Sequence, residues 1–384
     1  MIPRLLGLGT ARPARDLPQH HAAAMAVRRC AGTTQHARVL PPLYQRTTVE
    51  RRGSVLLDHA GDRPIDHTSL DWYYPTSDNG GRGPTTADRM ARYAAHATPL
   101  ALDACRRALD DARVGPDRIT HLVTVTCTGF AAPGVEHQLI EQLGLSPDVQ
   151  RTQVGFMGCH GAMNGLQVAR AFAADPRACV LMVCVELCTL HFQYGWESQR
   201  VVANALFADG AAAGVVASRP DADLQNPNGP QQAADTQPAA APWAMGDTAS
   251  RLFADSRELM SWHIGDHGFV MSLSPRVPQL IREHLRPWIR TWLSRHDLAI
   301  EDVGSFAIHP GGPRVVAAAA EALGLADADV ADSREVLRQH GNMSSATILF
   351  ILQRLRDRRC AMPCLALSFG PGLVGEAVLF THAE

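Results

Sequence analysis

PGVEHQLIEQLGL at residues 133–145 and PRVVAAAAEALGL at 313–325 share one plan: an apolar face at helical spacing that stops at Leu-Gly-Leu. Each follows a β-rich run, ITHLVTVTCTG (119–129) in one case and VGSFAIHPGG (303–312) in the other. Beyond each lies a segment with a glycine turn and an apolar helix, QVGFMGCHGAMNGLQVARAF (153–172) and REVLRQHGNMSSATILFILQRLR (334–356). An apolar strand closes each series, ACVLMVCVEL (178–187) and PCLALSFG (363–370). The same order thus occurs twice, and alternation of strands with helices predicts an α/β protein with mostly parallel sheets. A duplicated unit packs most simply on itself about a pseudo-twofold axis, which matches the glycine turn carrying Cys159 with the one carrying Asn342. Residues 219–242, rich in Pro, Ala, Gln and Asn, cannot build a core and read as a linker between halves 1–218 and 243–384.

With 384 residues, 46% of them hydrophobic and 19% charged, the composition is that of an ordinary globular protein. A net charge of −2 with no arginine-rich run argues against a nucleic-acid partner. All 36 basic residues are arginine, so lysine chemistry is excluded: Schiff bases, pyridoxal phosphate attachment and the P-loop clamp. Cys184/Cys188 and Cys360/Cys364 lack zinc-finger spacing, and no metal or cofactor is expected. No apolar run approaches the roughly 20 residues that span a bilayer, and no signal-peptide core opens the chain. The expectation is a cytoplasmic protein with reduced thiols and no membrane contact.

The nine cysteines are mostly unremarkable small hydrophobes by type, but Cys159 stands between glycines at the start of a buried helix. There the helix dipole favours thiolate, and Gly158 and Gly161 let a substrate approach, so Cys159 reads as a nucleophile that alkylating agents should reach first. On that helix His160, Asn164, Gln167 and Arg170 form a narrow polar stripe. His309 follows the strand SFAI and precedes Pro-Gly-Gly-Pro, a strand end of the kind that builds sites; as a loop histidine it would be ordinary. Asn342 follows Gly341 before an apolar helix, where a plain N-cap is the bland alternative. Cys, His and Asn together suit acyl transfer: a thiolate takes the acyl group, and two N–H donors hold a thioester oxygen as charge develops, stabilising a decarboxylation enolate.

GCHGAMNGLQVAR, ALFADGAAA (205–213), HPGGPRV (309–315), GNMSSATILFIL (341–352) and SFGPGL (368–373), in this order over nearly the whole chain, resemble the type III polyketide synthases. These form the chalcone synthase-like branch of the thiolase superfamily. The resemblance implies a thiolase-like fold of two duplicated αβαβα halves, packed as a layered α/β/α/β/α sandwich. It implies that Cys159 carries the growing chain and that His309 and Asn342 form the decarboxylation pair. Phe207 matches one gate phenylalanine; the second gate falls at Met271, with Phe269 close by. Cys127, Cys188, His191 and Ser344 match cavity-lining positions, and Arg46 in QRTTVERRG (45–53) matches a CoA-binding lysine; a solvated cluster of Arg46, Arg51 and Arg52 is the alternative. The activity implied is loading of an acyl-CoA starter and repeated decarboxylative condensation with malonyl-CoA, giving a pyrone, resorcinol or phloroglucinol-type product. CoA thioesters are substrates here, not cofactors. A homodimer is implied too, with the loop around Ala132-Pro133 near the neighbour's cavity and a small residue where most of the family place a larger one.

Two other readings compete. A ketoacyl-ACP synthase III-like enzyme shares Cys-His-Asn, but its histidine motif resembles HQAN, whereas this chain has HPGG; thiolases proper place a second cysteine where Asn342 stands. A non-catalytic acyl-CoA-binding homologue would have been free to lose one of the three residues.

Overall fold

The computed structural model describes residues 1–60, 81–218 and 241–383; most of the linker expected at 219–242 lies outside them. Strands are numbered in chain order: β1 Arg4–Ala11, β2 Asp16–Pro18, β3 Arg51–Gly53, β4 His121–Thr126, β5 Gln150–Gly155, β6 Cys179–Leu187 and β7 Asp209–Ala217. Then follow β8 Trp243–Leu252, β9 Met260–Gly265, β10 Gly268–Leu273, β11 Ser305–Ile308, β12 Cys364–Gly370 and β13 Val374–His382. Nine strands run in the order β11-β12-β13-β8-β1-β7-β6-β4-β5, while β2/β3 and β9/β10 form separate two-stranded sheets. The two halves of the sequence occupy the two ends of this order. Within this sheet they join where β1 pairs β8 at Arg4↔Ala244 and Leu5↔Trp243.

The pairing is mixed, contrary to the mostly parallel sheets expected. β4 pairs in parallel with β5 and β6, and β11 with β12, but the other pairings of the large sheet are antiparallel. One reason is plain: β12 and β13 are joined by the turn 371–373, and a connection that short permits only an antiparallel return. Every residue of β6 and of β7 is buried, which explains why these strands read as continuous apolar runs.

The Leu-Gly-Leu endings have a common physical cause. Gly144 and Gly324 cap the helices Val135–Leu143 and Pro313–Leu323 in the left-handed region, at φ 69° and 76°. In each case the following leucine donates its N–H back five residues, Leu145 to Ile140 at 3.0 Å and Leu325 to Ala320 at 2.9 Å.

Packing builds five layers. The helices Gly161–Phe172 and Thr347–Asp357 share one core with Val123, Met182 and Ala212 of the first half and Ala307, Ala366 and Val378 of the second. The long helix Thr86–Ala112 covers the outer face of the first half, and Val277–Leu293 with Pro313–Leu323 covers that of the second. Both glycine turns therefore open toward the middle of the molecule. The polar stripe on the inner helix also ties the halves together: His160 Nδ1 lies 2.7 Å from Asn164 Oδ1, and Asn164 and Gln167 donate to the buried Glu376 of β13 at 3.2 and 2.7 Å.

Candidate active site

β5 ends at Gly155, and the chain turns through Phe156 and Gly158, both at positive φ (60° and 73°), into a tight turn at Gly158–His160 that runs on into the Gly161–Phe172 helix. A bulky side chain at positive φ is held there only by surrounding structure. That structure is the loop after β12: a Cβ on Gly158 would lie 2.5 Å from Pro371 Cδ, and one on Gly370 would lie 2.0 Å from His160 Cδ2. Two glycines thus let the SFGPGL loop press onto the turn that presents Cys159.

Cys159 is 6% exposed. Asn342 places its Nδ2 3.9 Å from the Cys159 sulfur. Its Oδ1 accepts from the Ser344 N–H at 2.9 Å, so the local capping expected of this asparagine occurs, and the amide nitrogen is still left to face the thiol. The backbone of Asn342 is locked beside Phe207: its N–H donates to Leu206 at 2.9 Å and its carbonyl accepts from Ala208 at 2.9 Å. Ser344 adopts φ 47°, and its hydroxyl lies 3.1 Å from the Cys127 sulfur. His309 follows β11, is 1% exposed, and donates its backbone N–H to Leu367 at 2.8 Å. Neither of its ring nitrogens has a hydrogen-bond partner among the described residues, so it makes no hydrogen bond to Cys159.

Electrostatics modify the helix-dipole expectation. Burial pushes the Cys159 thiol up to about 11; Ser344 and Asn342 pull the other way, and the buried Glu186 carboxyl adds to the rise. Desolvation opposes the dipole, because the thiol lies under both halves of the molecule. Cys127 and Cys188 are raised further, first by burial and then by Glu186. Of the three thiols, Cys159 is the easiest to ionise. His309 is held down to about 3 by burial, with His160 adding to the effect, and is neutral at pH 7.

A small cavity at Cys159, with about 20 Å³ of free space, is lined by Cys127, Cys188, Phe207, Met271 and Ser344, together with Thr128, Gly158, Met260, Trp262 and Pro371. His191 and Phe269 lie outside it. They stack on each other at 4.1 Å and line an adjoining pocket, which shares the wall of Cys188, Phe207, Trp262 and Met271. His191 accepts the Phe269 N–H at Nδ1 (2.9 Å) and donates from Nε2 to the Thr128 carbonyl (2.7 Å), so it is a neutral tie. Arg46 lines an outer cleft with Leu206, Leu273, Arg314 and the Gly311-Gly312 turn that follows His309. Phe207 and Met271 line the cavity, and Leu206 and Leu273, one and two residues away in the chain, line the cleft.

Arg52 differs from the surface cluster considered above. It is 3% exposed and donates to the carbonyls of Asn204 and Phe207, each at 2.8 Å, and of Ala205 at 2.5 Å. Two further residues were not singled out from sequence. Glu186 is fully buried beneath the cavity and accepts from the Cys127 N–H (3.0 Å), Thr128 (2.7 Å) and Ser345 (2.5 Å); a lone carboxylate in an apolar strand was its available signal. Trp262, whose indole donates to the Cys127 carbonyl at 2.7 Å, had none, because the facing of a hairpin depends on how it docks.

The family model for the N-terminal domain of chalcone and stilbene synthases matches residues 3–220, and that for their C-terminal domain matches 246–383. The Mycobacterium tuberculosis protein "Alpha-pyrone synthesis polyketide synthase-like Pks18" is 31% identical over 97% of this chain and 90% of its own length. The 1,3,6,8-tetrahydroxynaphthalene synthase of Streptomyces peucetius is 35% identical over 73% of this chain and 72% of its own. Among solved structures, PKS-I from the brown alga Ectocarpus siliculosus superposes with a TM-score of 0.87 at 29% identity, covering 100% of this chain and 98% of that one. The layered architecture is the thiolase-like fold that the family resemblance implied.

Proposed function

This chain belongs to the chalcone and stilbene synthase family and is a type III polyketide synthase of the acyltransferase class, and on that premise we propose how its three buried groups divide the chemistry. Cys159 attacks the carbonyl of an acyl-CoA starter; the carbon–sulfur bond to CoA breaks, and the acyl group becomes a Cys159 thioester. The thiol proton ends on the departing CoA, and neutral His309 offers an N–H to the charge that develops on the starter's thioester oxygen. Malonyl-CoA then loses carbon dioxide, and the negative charge that appears on its thioester oxygen is held by N–H groups of His309 and Asn342. The resulting carbanion attacks the Cys159 thioester and the carbon–sulfur bond to Cys159 breaks, leaving the longer chain on CoA. Transfer of that chain back to Cys159 releases CoA, and repetition lengthens it before it cyclises to a pyrone, resorcinol or phloroglucinol-type product.

The observation that carries this division is a deeply buried thiol that faces an asparagine amide, together with a buried histidine at the end of β11 whose two ring nitrogens have no hydrogen-bond partner among the described residues. Buried polar groups are nearly always satisfied, so such a histidine marks a place where another polar group is received. A preorganised donor pair in a site with little water stabilises developing oxyanion charge most strongly. Arg46 and Arg314 in the outer cleft suit the phosphates of CoA, and Phe207 with Met271 suits a gate between cleft and cavity. Cys127, Cys188 and Ser344 shape the starter cavity; His191 acts through Phe269 behind its wall.

A homodimer and a cytoplasmic location belong to the same proposal. Two exposed features support the dimer: Ala132 on a surface loop, and the largely exposed edge strand β5, whose outer side offers free backbone groups. A single-condensation enzyme is the second reading. Product analysis by mass spectrometry, with malonyl-CoA and acyl-CoA starters of increasing length, tests the proposal. Products extended by two or more malonyl units support it, and a strict single extension supports the alternative.

A further inference from the structure

Cys360 and Cys364 take no part in the site above, yet the fold sets them side by side: the Ser305 hydroxyl lies 3.2 Å from the Cys360 sulfur, and Ser305 is the parallel register partner of Cys364. The arrangement is built, not incidental. The Thr347–Asp357 helix ends with Arg359 at φ 52°, and the Cys360 N–H returns to the Leu355 carbonyl at 3.0 Å, which sets the direction in which residue 360 leaves the helix. The turn that follows is clamped by the start of β11. Gly304 and Ser305 both donate their N–H groups to the Pro363 carbonyl, at 2.9 and 3.2 Å, and the Ser305 hydroxyl reaches the Ala361 carbonyl at 2.8 Å. A Cβ on Gly304 would lie 2.8 Å from the Ala361 backbone, so the contact is tight. The same Ser305 hydroxyl lies 3.2 Å from the Cys360 sulfur.

The two thiols are unequal. Cys360 is half-buried, whereas Cys364, the first residue of β12, is fully buried. The hydrogen bond from Cys364 brings the Cys360 thiol down to about 7, Ser305 and the Arg358 guanidinium act in the same direction, and partial burial and Asp332 oppose them. Asp332 opposes only weakly, since Arg354 and Arg358 both pair with it, at 3.2 and 2.7 Å. Cys364 is pushed well above the ordinary thiol range, first by its partner and then by burial. One accessible thiolate beside one protected thiol is the arrangement of an attacking and a resolving cysteine.

We propose that Cys360 and Cys364 form a redox-active dithiol that hydrogen peroxide or an organic hydroperoxide converts reversibly into an intramolecular disulfide. The Cys360 thiolate attacks one peroxide oxygen; the O–O bond breaks, leaving a sulfenic acid and hydroxide, or an alkoxide from an organic hydroperoxide. The Cys364 thiol then attacks the sulfenic sulfur, the S–O bond breaks, and water leaves as the S–S bond forms. The two sulfurs lose two electrons, and the peroxide gains them. An external dithiol restores both thiols by exchange. The pair lies at the start of β12, at the end opposite the SFGPGL loop, so it is a modification site separate from Cys159.

The test is oxidation of the full chain with a small excess of hydrogen peroxide, alkylation with N-ethylmaleimide under denaturing conditions, and peptide mapping by mass spectrometry. The expected result is a Cys360–Cys364 linked peptide, lighter by two hydrogens and restored by dithiothreitol. In Cys364→Ala the expected result is over-oxidation of Cys360 to sulfinic or sulfonic acid, because no resolving thiol remains. Recovery of both cysteines fully alkylated from oxidised wild-type protein overturns the proposal. So does a Cys360 that stays a thiol in Cys364→Ala under the same peroxide. The wild-type map alone decides the first point, even if the variant folds poorly.

Discussion

The side-chain amide of Asn342 lies 3.9 Å from the sulfur of Cys159, although 183 residues separate them in the chain. The relationship follows from the duplication: each half opens its inner helix with a glycine turn, and the layered packing sets the two turns face to face. Asn342 is fixed from both sides, by its backbone bridge to Phe207 and by the Ser344 N–H on its own oxygen. The amide nitrogen therefore points at the thiol without side-chain freedom left to lose.

The clearance between Gly370 and His160 is testable by a double-mutant cycle. Gly370→Ala places a methyl group 2.0 Å from His160 Cδ2 and should destabilise the protein by about 1–3 kcal/mol, the usual range for overpacking. His160→Ala alone loses the contact with Asn164, but the double variant should recover most of the Gly370→Ala loss. Urea denaturation of the four proteins measures the coupling. Strictly additive effects would show that the loop does not press on the imidazole.

Ser344 separates strain from chemistry. Its φ of 47° is unfavourable for serine and free for glycine, so Ser344→Gly should hold or raise the melting temperature. The same change removes a hydroxyl that pulls the Cys159 thiol down. Starter loading in this variant should need higher pH than in the wild type. Superimposable pH profiles would remove Ser344 from the account of the thiolate.

Acid should destabilise the fold through its buried histidines. His309 and His191 are each held down to about 3 by burial, while an unfolded histidine protonates near 6.5. Between these values the unfolded chain binds more protons, so stability is full above about pH 6.5 and falls as pH drops toward 3. Each such histidine contributes a slope of roughly 1.4 kcal/mol per pH unit within that window. His309→Gln should show a smaller loss between pH 7.5 and 5.5 by one histidine's share, read from urea midpoints. Equal losses in wild type and variant would mean that His309 is not buried and neutral.

Cysteine reactivity should follow burial. In the resting protein a small polar alkylating agent should label Cys360 before Cys159, because Cys360 is half-exposed with the lower thiol and Cys159 is enclosed. Timed labelling with peptide mapping gives the order; Cys159 reacting first would restore the dipole-led expectation.

The sequence and the structure agree where the signal is local. At the two helix ends Leu-Gly-Leu is a left-handed cap with a return bond five residues back, whereas the same tripeptide at residues 6–8 lies within β1, where no helix precedes it. The convergence of Cys159 with Asn342 was legible because a repeat carries symmetry, and symmetry carries distance. Strand direction was not legible, since nothing in PCLALSFG says that β13 will return beside it. Arg52 looked like its neighbour Arg51 because adjacent residues on a short strand face opposite ways, and only the tertiary fold decides which is inside. The environment of the Cys159 thiol is only half legible for a related reason: a helix end is visible in sequence, but the desolvation that opposes its dipole comes from packing across the two halves of the molecule.

The central claim is that Cys159 holds the acyl chain while Asn342 and His309 hold the charge of decarboxylation. A single-turnover assay that follows starter loading and carbon dioxide release separately tests it most directly. Asn342→Ala should cut malonyl-CoA decarboxylation by roughly 10²–10³, the usual effect of losing one preorganised oxyanion donor, while Cys159 still accepts the starter. His309→Ala should slow both steps. An Asn342→Ala enzyme that released carbon dioxide at the wild-type rate but could not load the starter would contradict the account and leave Asn342 with only its local capping bond to Ser344.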